Sequence, residues 1–447
     1  MADRPAPSEA RRAVFDACRA FFAAEHAPRP FVPGETYIPP SAKVLDAADL
    51  LSLIDASLDM WLTAGRFSQA FETALPHLFD RRAKALLVNS GSSANLVAVS
   101  SLGSPLMAAP DCRPLQPGDE VVTAAAGFPT TINPIIQNGW RPVLVDVDLD
   151  TLNVTPETIQ EACGPKTRAV VVAHSLGHPF RSDIVGAFCD SREMFLVEDC
   201  CDALGARIGD APVGSFGHYA TLSFYPAHHI TMGEGGAVVA RNARYRRVAE
   251  SMRDWGRDCW CDPGKDNTCG KRFIWQLGGL PAGYDHKYTY SSIGYNLKAT
   301  DMQAAVGLSQ LDKLPGFVAR RRANWQALYD GIQGSPLLRE HLIPVRSTDG
   351  TTASPFGFPM HCGQGIDRNA LTQFLESHKV GTRLVFAGNI TKQPAYTDVP
   401  FRVVGSLENT DAIMTRTFWI AVHPALSPAH IAYMLEQLEA GVRAQVR

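Results

Sequence analysis

No stretch of the 447 residues comes near the ~20 consecutive apolar residues that a membrane-spanning helix needs. The start, "MADRPAPSEARRAVFDACRAFFAAEH", is charged and helical in pattern and lacks the apolar core of a signal peptide. A strong charge of one sign is also missing: 42 Lys and Arg stand against 45 Asp and Glu, a net charge of −3. That balance speaks against a nucleic-acid partner or a polybasic membrane surface. There is no internal repeat, no low-complexity tract and no convincing G-x-G-x-x-G dinucleotide fingerprint. These absences predict a cytoplasmic protein that acts on small molecules. In that compartment its ten cysteines read as thiols, metal ligands or buried residues rather than disulfides.

With 45% hydrophobic residues, the chain can bury a large core. From about residue 85, short β-branched runs alternate with helical patterns, the signature of an α/β domain. "ALLVNS", "DEVVTAAA", "PVLVDVD", "RAVVVAHS", "MFLVED", "YATLSF" and "GGAVVAR" predict a mostly parallel seven-stranded sheet. Residues 301–333 have helical spacing broken at Pro315, and a smaller α/β unit follows. The expected divisions are a helical or extended segment 1–47, a large domain 48–314 and a small carboxy-terminal domain 315–447. Within the large domain, residues 253–295 form an irregular insertion rich in Trp, Cys, Gly and Lys, too long for an idle loop.

Ligands bind open parallel sheets at the carboxyl ends of the strands. After "ALLVN" come small residues, Gly91, Ser92 and Ser93, that open a helix and suit a phosphate. Phe128 follows "EVVTAAA" and offers a face to a flat ring. Asp199 ends "FLVED", where a carboxylate can hold a protonated ring nitrogen. Ser223 ends "YATLS" with a hydroxyl for phosphate. The next loop, "SFYPAHHITMGEGG", looks built to anchor a cofactor but contains no lysine.

In this order, the phosphate cradle, stacking aromatic, acidic strand end and phosphate serine resemble the fold type I pyridoxal-phosphate enzymes, and among them the sugar-nucleotide aminotransferase family. The resemblance covers roughly residues 35–440 and is carried by "NSGSSAN", "GFPTTINP", "VEDCCDALGA", "SFYPAHHITMGEGGAVV", "GYNLKATDMQAAVGLSQL", "RLVFAGNI" and "LENTDAIMTRTFWI". It implies that Asp199 pairs with the pyridine nitrogen and Phe128 stacks on the ring. Gly91, Ser92, Ser93 and Ser223 would bind the phosphate, and Asn296 would reach in from the other subunit of a homodimer. In the aminotransferases the position of His228 is the lysine that holds the cofactor as a Schiff base. An imidazole cannot condense with an aldehyde, so the chemistry has to start from the amine form, pyridoxamine phosphate, bound by contacts alone.

The branch carrying this histidine is similar to the nucleotide-sugar 3-dehydratases. That resemblance implies that pyridoxamine phosphate meets the 4-ketone of a nucleotide-linked 4-keto-6-deoxyhexose. His228 then removes a proton from the cofactor and the 3-hydroxyl leaves. Tyr225 and Asp202 would tune the proton transfer, and Tyr37, Trp61, Arg66 and Arg383 would line the sugar-nucleotide cleft. Cys201, Cys259, Cys261 and Cys269 form the pattern C-x57-C-x1-C-x7-C, which is not ordinary zinc spacing. It resembles that of the iron-sulfur members of the branch and implies a 2Fe-2S cluster. The cluster would be fed by an NADH-dependent flavin and iron-sulfur reductase or a ferredoxin-type donor. A cluster-free 3-dehydratase and a non-catalytic cofactor-binding relative are the alternatives. CDP leads on resemblance, with TDP and GDP open. Cys18, Cys112, Cys163, Cys189 and Cys362 read as scattered thiols.

Overall fold

Alternation within the apolar runs decides which side chains face each side of the sheet. Ala85 and Leu87 of the strand Lys84–Val88 enter one core with Ala237 and Val239, while Leu86 and Val88 enter another with Val238 and Ala240. Both faces are therefore covered by helices, as near-continuous hydrophobic strands require. The computed structural model describes residues 7–27, 29–80, 82–108, 113–261 and 263–446. Cys112 lies outside them.

All seven expected runs form strands, but the sheet has eight. Its order is Lys84–Val88, Gly236–Ala240, Tyr219–Ser223, Phe195–Asp199, Thr167–Ala173, Glu120–Ala124, Arg141–Val145 and Arg402–Val404. Gly236–Ala240 runs antiparallel to both neighbours and the other pairings are parallel. The eighth strand is a three-residue piece contributed from beyond residue 400. Arg402 secures it to the sheet through Glu120 at 2.8 Å. Its brevity and polar first residue leave no periodic signal in the sequence.

Pro315 sits in the first turn of the helix Leu314–Gly334, where no backbone N–H is needed. The preceding helix, Asp301–Leu311, starts at a capping box between Thr300 and Gln303. Beyond them, the strands Leu342–Pro344, Phe358–Cys362 and Thr417–Ile420 form a small antiparallel sheet. The helices Arg368–Ser377 and Pro428–Gln445 pack on it around Leu371, Leu375, Phe418 and Leu438. Residues 253–295 leave the large sheet as an excursion closed at its base by bridges from Asp254 to Asn296 and from Arg257 to Tyr290. Among the described residues, no helix is long and apolar enough to cross a membrane.

Three buried histidines make the fold sensitive to acid. Burial lowers the pKa of His178, His218 and His423 to about 4, with Arg241 adding to the effect at His218 and Arg321 at His423. Unfolded, each imidazole titrates near its ordinary value, so between that value and about 4 the unfolded chain binds protons that the folded one refuses. Stability is then fully present above pH ~6.5 and declines as the pH falls towards 4, by about 1.4 kcal/mol per pH unit for each histidine. Urea unfolding midpoints should fall steadily from pH 7 to pH 5. A flat profile would contradict the burial of these rings as neutral groups.

Candidate active site

The carboxyl ends of neighbouring strands converge on one cleft of about 560 Å³. Lys84–Val88 leads to Ser90, whose hydroxyl caps the helix Gly91–Ser101 by accepting from the Ser93 N–H at 3.0 Å. The positive end of that helix opens into the cleft beside Ser223. Only glycine permits this approach, because a Cβ on Gly91 would lie 2.4 Å from the Ser223 Cβ and 3.1 Å from the Cys201 sulfur. Gly91, Ser92 and Ser223 line the cleft, as does Ser90, which the sequence reading did not select. Ser93 does not: its side chain turns to the cap, where its hydroxyl oxygen accepts from the Ser90 hydroxyl at 3.0 Å.

Asp199 stands at the end of its strand and is nearly fully buried. Its Oδ2 accepts from Asn95 Nδ2 at 2.8 Å and from the Thr131 hydroxyl at 2.6 Å, and its Oδ1 accepts from the Cys201 N–H at 3.1 Å. Thr221 holds Asn95 in turn, donating to its Oδ1 at 2.6 Å. This polar net went unselected in the sequence, although Asn95 lies inside the "NSGSSAN" motif. Phe128, half exposed, forms a wall of the cleft and meets Phe386 edge-on at 6.1 Å. Leu176 and Phe386, two further lining residues, have φ of 47° and 45°. That is left-handed strain of the kind that collects at functional sites.

His228 faces the same cleft, and among the described residues lining it none is lysine. Its Nδ1 lies 3.3 Å from Asp202 Oδ1, without the alignment of a hydrogen bond. Its backbone N–H donates to the Tyr225 carbonyl at 2.9 Å, and Tyr225 and Asp202 both line the cleft. Arg321 supports this loop from behind. Its fully buried guanidinium donates to the carbonyls of His228 at 3.1 Å and Phe356 at 3.1 Å, tying the loop to the segment that carries Phe356. Burial lowers the Arg321 pKa to about 10, so it stays a cation. Nothing in the sequence pattern marked this arginine. His229 points away and bonds the Ser354 carbonyl at 2.9 Å.

Of the residues expected to meet the sugar nucleotide, only Arg383 lines the cleft, exposed at its mouth. Tyr37 instead donates to Glu376 at 3.1 Å. Arg66 pairs with Asp55 at 3.1 Å and Asp59 at 2.5 Å. Trp61 is half exposed, donates to the Ala64 carbonyl at 3.0 Å and packs against Gly264 of the insertion. All three are engaged by neighbouring acidic or loop groups outside the cleft of their own chain. Asn296 is exposed, accepts from Lys298 at 3.0 Å and also lies outside that cleft.

The four cysteines singled out by spacing are divided. Cys259, Cys261 and Cys269 surround one small cavity in the insertion, with Asn267, Arg272, His286 and Lys287. Cys201 lines the large cleft, where burial and the nearby Asp199 raise its thiol pKa well above the ordinary range. Three of the thiols thus line one cavity, and Cys201 lines a different one. Cys18 and Cys163 are half-buried, while Cys189, Cys200 and Cys362 are buried. His174, Glu198 and Cys200 lie within 4.8 Å of one another beneath the cleft. Glu198 is already committed there to the N–H groups of Gly214, Phe216 and Gly217.

For pyridoxamine phosphate, the residues present fit. There is a helix amino terminus that a Cβ would block, a fixed carboxyl at depth, an aromatic wall and no amine for a covalent tether. The lipopolysaccharide biosynthesis protein RfbH of Salmonella typhimurium is 51% identical over 92% of this chain and 93% of its own. The dTDP-4-dehydro-2,6-dideoxy-D-glucose 3-dehydratase of Saccharopolyspora spinosa is 51% identical over 91% of this chain and 87% of its own. The Escherichia coli GDP-4-keto-6-deoxy-D-mannose-3-dehydratase, solved with bound hydrated PLP, superposes with a TM-score of 0.79 at 26% identity, over 90% of this chain and 100% of that one. The family model described as the DegT/DnrJ/EryC1/StrS aminotransferase family matches residues 45–439, and the chain, with its fold type I architecture, belongs to that family.

Proposed function

We propose that the protein is a nucleotide-sugar 3-dehydratase. It removes the 3-hydroxyl of a nucleotide-linked 4-keto-6-deoxyhexose with pyridoxamine phosphate held by contacts alone. The observation that carries this reading is the lysine-free cleft, with His228 at its wall and Asp199 at its floor. The names of the two relatives that are 3-dehydratases support it. When bound, pyridoxamine phosphate supplies a primary amine for the sugar ketone and a pyridine ring that accepts electrons.

The roles of the side chains follow from their positions. The helix amino terminus at Gly91 and Ser92, with Ser223, receives the phosphate. Phe128 covers one face of the ring, and Asp199 keeps a proton on the ring nitrogen. His228 takes the proton from the carbon that bears the amine, helping the hydroxyl at sugar C3 to depart. Asp202 favours a proton on His228 Nδ1, which leaves Nε2 as the basic nitrogen. Tyr225 and Arg383 border the space left for the sugar nucleotide.

The proposal extends to a 2Fe-2S centre on the insertion thiols, which supplies one-electron transfer so that a 3-deoxy-4-keto sugar is the product. An external NADH-dependent flavin and iron-sulfur reductase, or a ferredoxin-type donor, provides the electrons. The enzyme works as a cytoplasmic homodimer, with the exposed Asn296 of each chain turned to the other. The direct test is product analysis with CDP-, TDP- and GDP-linked 4-keto-6-deoxyhexoses, with and without a reducing system. Loss of the 3-hydroxyl is expected, and an intact sugar that merely gains an amino group at C4 would reject the reading.

Gly91→Ala tests the cradle. The added methyl group would collide with Ser223 and push the helix terminus outward. Fluorescence titration should show pyridoxamine phosphate binding weakened by ~10-fold or more, equivalent to about 1.4 kcal/mol. Unchanged affinity would remove this helix from the phosphate site.

A further inference from the structure

Asp199 is a meeting point for three elements that border the cleft. Asn95 comes from the helix Gly91–Ser101, whose amino terminus forms the phosphate cradle, and donates from Nδ2 to Asp199 Oδ2 at 2.8 Å. Thr131 comes from the helix Pro129–Gln137, which begins after Phe128, and its hydroxyl donates to the same oxygen at 2.6 Å. The N–H of Thr131 also donates to the Phe128 carbonyl at 3.1 Å, so the aromatic wall and the carboxylate share an anchor. Thr221 comes from the strand Tyr219–Ser223, two residues before the serine at the cleft. All three side chains are buried.

Counting hydrogens shows how the carboxylate is used. It has about four acceptor positions, two on each oxygen. Asn95 and Thr131 fill both on Oδ2. Oδ1 takes the main-chain N–H of Cys201 at 3.1 Å. Thr221 has one hydroxyl hydrogen and two acceptors in reach, Asn95 Oδ1 at 2.6 Å and Asp199 Oδ1 at 3.4 Å, and the shorter contact takes it. The same network fixes the amide, because a reversed Asn95 would press its carbonyl oxygen against the carboxylate. Oδ1 therefore keeps room for a further donor, on a residue that lines the cleft.

We propose that Asn95 and Thr131 are positioning residues that hold Asp199 with Oδ1 presented to the ring nitrogen of pyridoxamine phosphate, and so favour the coenzyme with a proton on that nitrogen. This rests on the reading above that Asp199 meets the ring nitrogen. The place left on Oδ1 is an acceptor. A ring N–H satisfies it, whereas a bare ring nitrogen would set lone pair against lone pair. With both donors on Oδ2, the carboxylate cannot turn without leaving a buried N–H or O–H unpaired. The helix of the phosphate cradle and the helix that follows the aromatic wall each supply one of these donors, so three contacts to one coenzyme are held in a single register.

The test compares two coenzymes on the full-length protein by fluorescence titration: pyridoxamine phosphate, and its analogue with C–H in place of the ring nitrogen. The native protein should bind the analogue ~10-fold or more weakly, because a charge-assisted hydrogen bond is lost. Thr131→Val keeps the shape of the side chain and removes its hydroxyl. It should weaken pyridoxamine phosphate by ~3-fold or more and leave the analogue within ~2-fold of its native affinity, the coupling expected of groups in one network. Thr131→Ser should restore native binding of both. Asn95→Ala removes the other donor to Oδ2, should give the same pattern, and carries the test if Thr131→Val does not fold. A loss shared equally by both coenzymes, or unchanged or tighter binding of pyridoxamine phosphate, would overturn the positioning role. If the native protein does not distinguish the two coenzymes, the pairing of Asp199 with the ring nitrogen falls, and this inference with it.

Discussion

Replacing His228 with Asn should reduce turnover of a 4-keto-6-deoxyhexose nucleotide by ~10³-fold or more, within the range supplied by a positioned acid or base. Pyridoxamine phosphate affinity should change only a few-fold. Asparagine keeps the loop's backbone hydrogen bond to Tyr225 and the clamp from Arg321, because both involve main-chain atoms of residue 228. Only the basic nitrogen is lost. Exchange of the cofactor's amine-bearing carbon proton with deuterated solvent, followed by NMR, should stop in the variant. Persistent exchange would take the base role away from His228.

Asp199→Ala is the second change with a large expected effect, and it acts on two levels. A charge-assisted hydrogen bond to a ring nitrogen is worth about 1.5–3 kcal/mol, so cofactor affinity should fall by ~10–150-fold. The substitution also strips Asn95 Nδ2, the Thr131 hydroxyl and the Cys201 N–H of their acceptor in a buried site. Unsatisfied buried donors cost about 1–3 kcal/mol each, so the empty protein should itself be less stable. Asp199→Asn separates the two effects. It keeps one acceptor oxygen, enough for Asn95 and Thr131, and removes the charge, so stability should recover in part while turnover stays low. If Asp199→Asn works as well as the parent, the carboxyl holds structure and not a protonated ring.

Much of this site was legible in the sequence because the fold puts chemistry immediately after apolar strands. Asp199, Ser223, Phe128 and Gly91 each follow a run whose pattern marked it, and all four reach the cleft. Residues placed by long-range packing were not legible in this way. Tyr37 and Trp61 lie in loops and Arg66 opens a short helix, Arg66–Ala74, and their partners, Glu376, Gly264 and the pair Asp55 and Asp59, decide where their side chains go. Arg321 sits on an unremarkable helix face, and its role arises only when a residue 35 positions later presents the Phe356 carbonyl. The strand Arg402–Val404 is too short to show a period and exists because Arg141–Val145 has a free edge.

The insertion shows the same division. Its cysteines were visible by spacing, and three of them line one small cavity. His286 went unselected because a lone histidine among turns carries no periodic signal. The cue available was its location in the same insertion as the cysteines. Cys201 borders the large cleft. Its closeness in sequence to Asp199 places it on the cleft, and that closeness says nothing about where a segment almost sixty residues later will fold.

A coenzyme held without a covalent bond, where an imidazole replaces an amine, is the central claim. The most direct test is to load the native protein with pyridoxal phosphate, treat it with borohydride and weigh the intact chain. The expected result is an unmodified polypeptide mass from the native protein and a reduced pyridoxyl adduct from His228→Lys treated in parallel. An adduct on the native chain, mapped by peptide digestion to a lysine in the cleft, would contradict it.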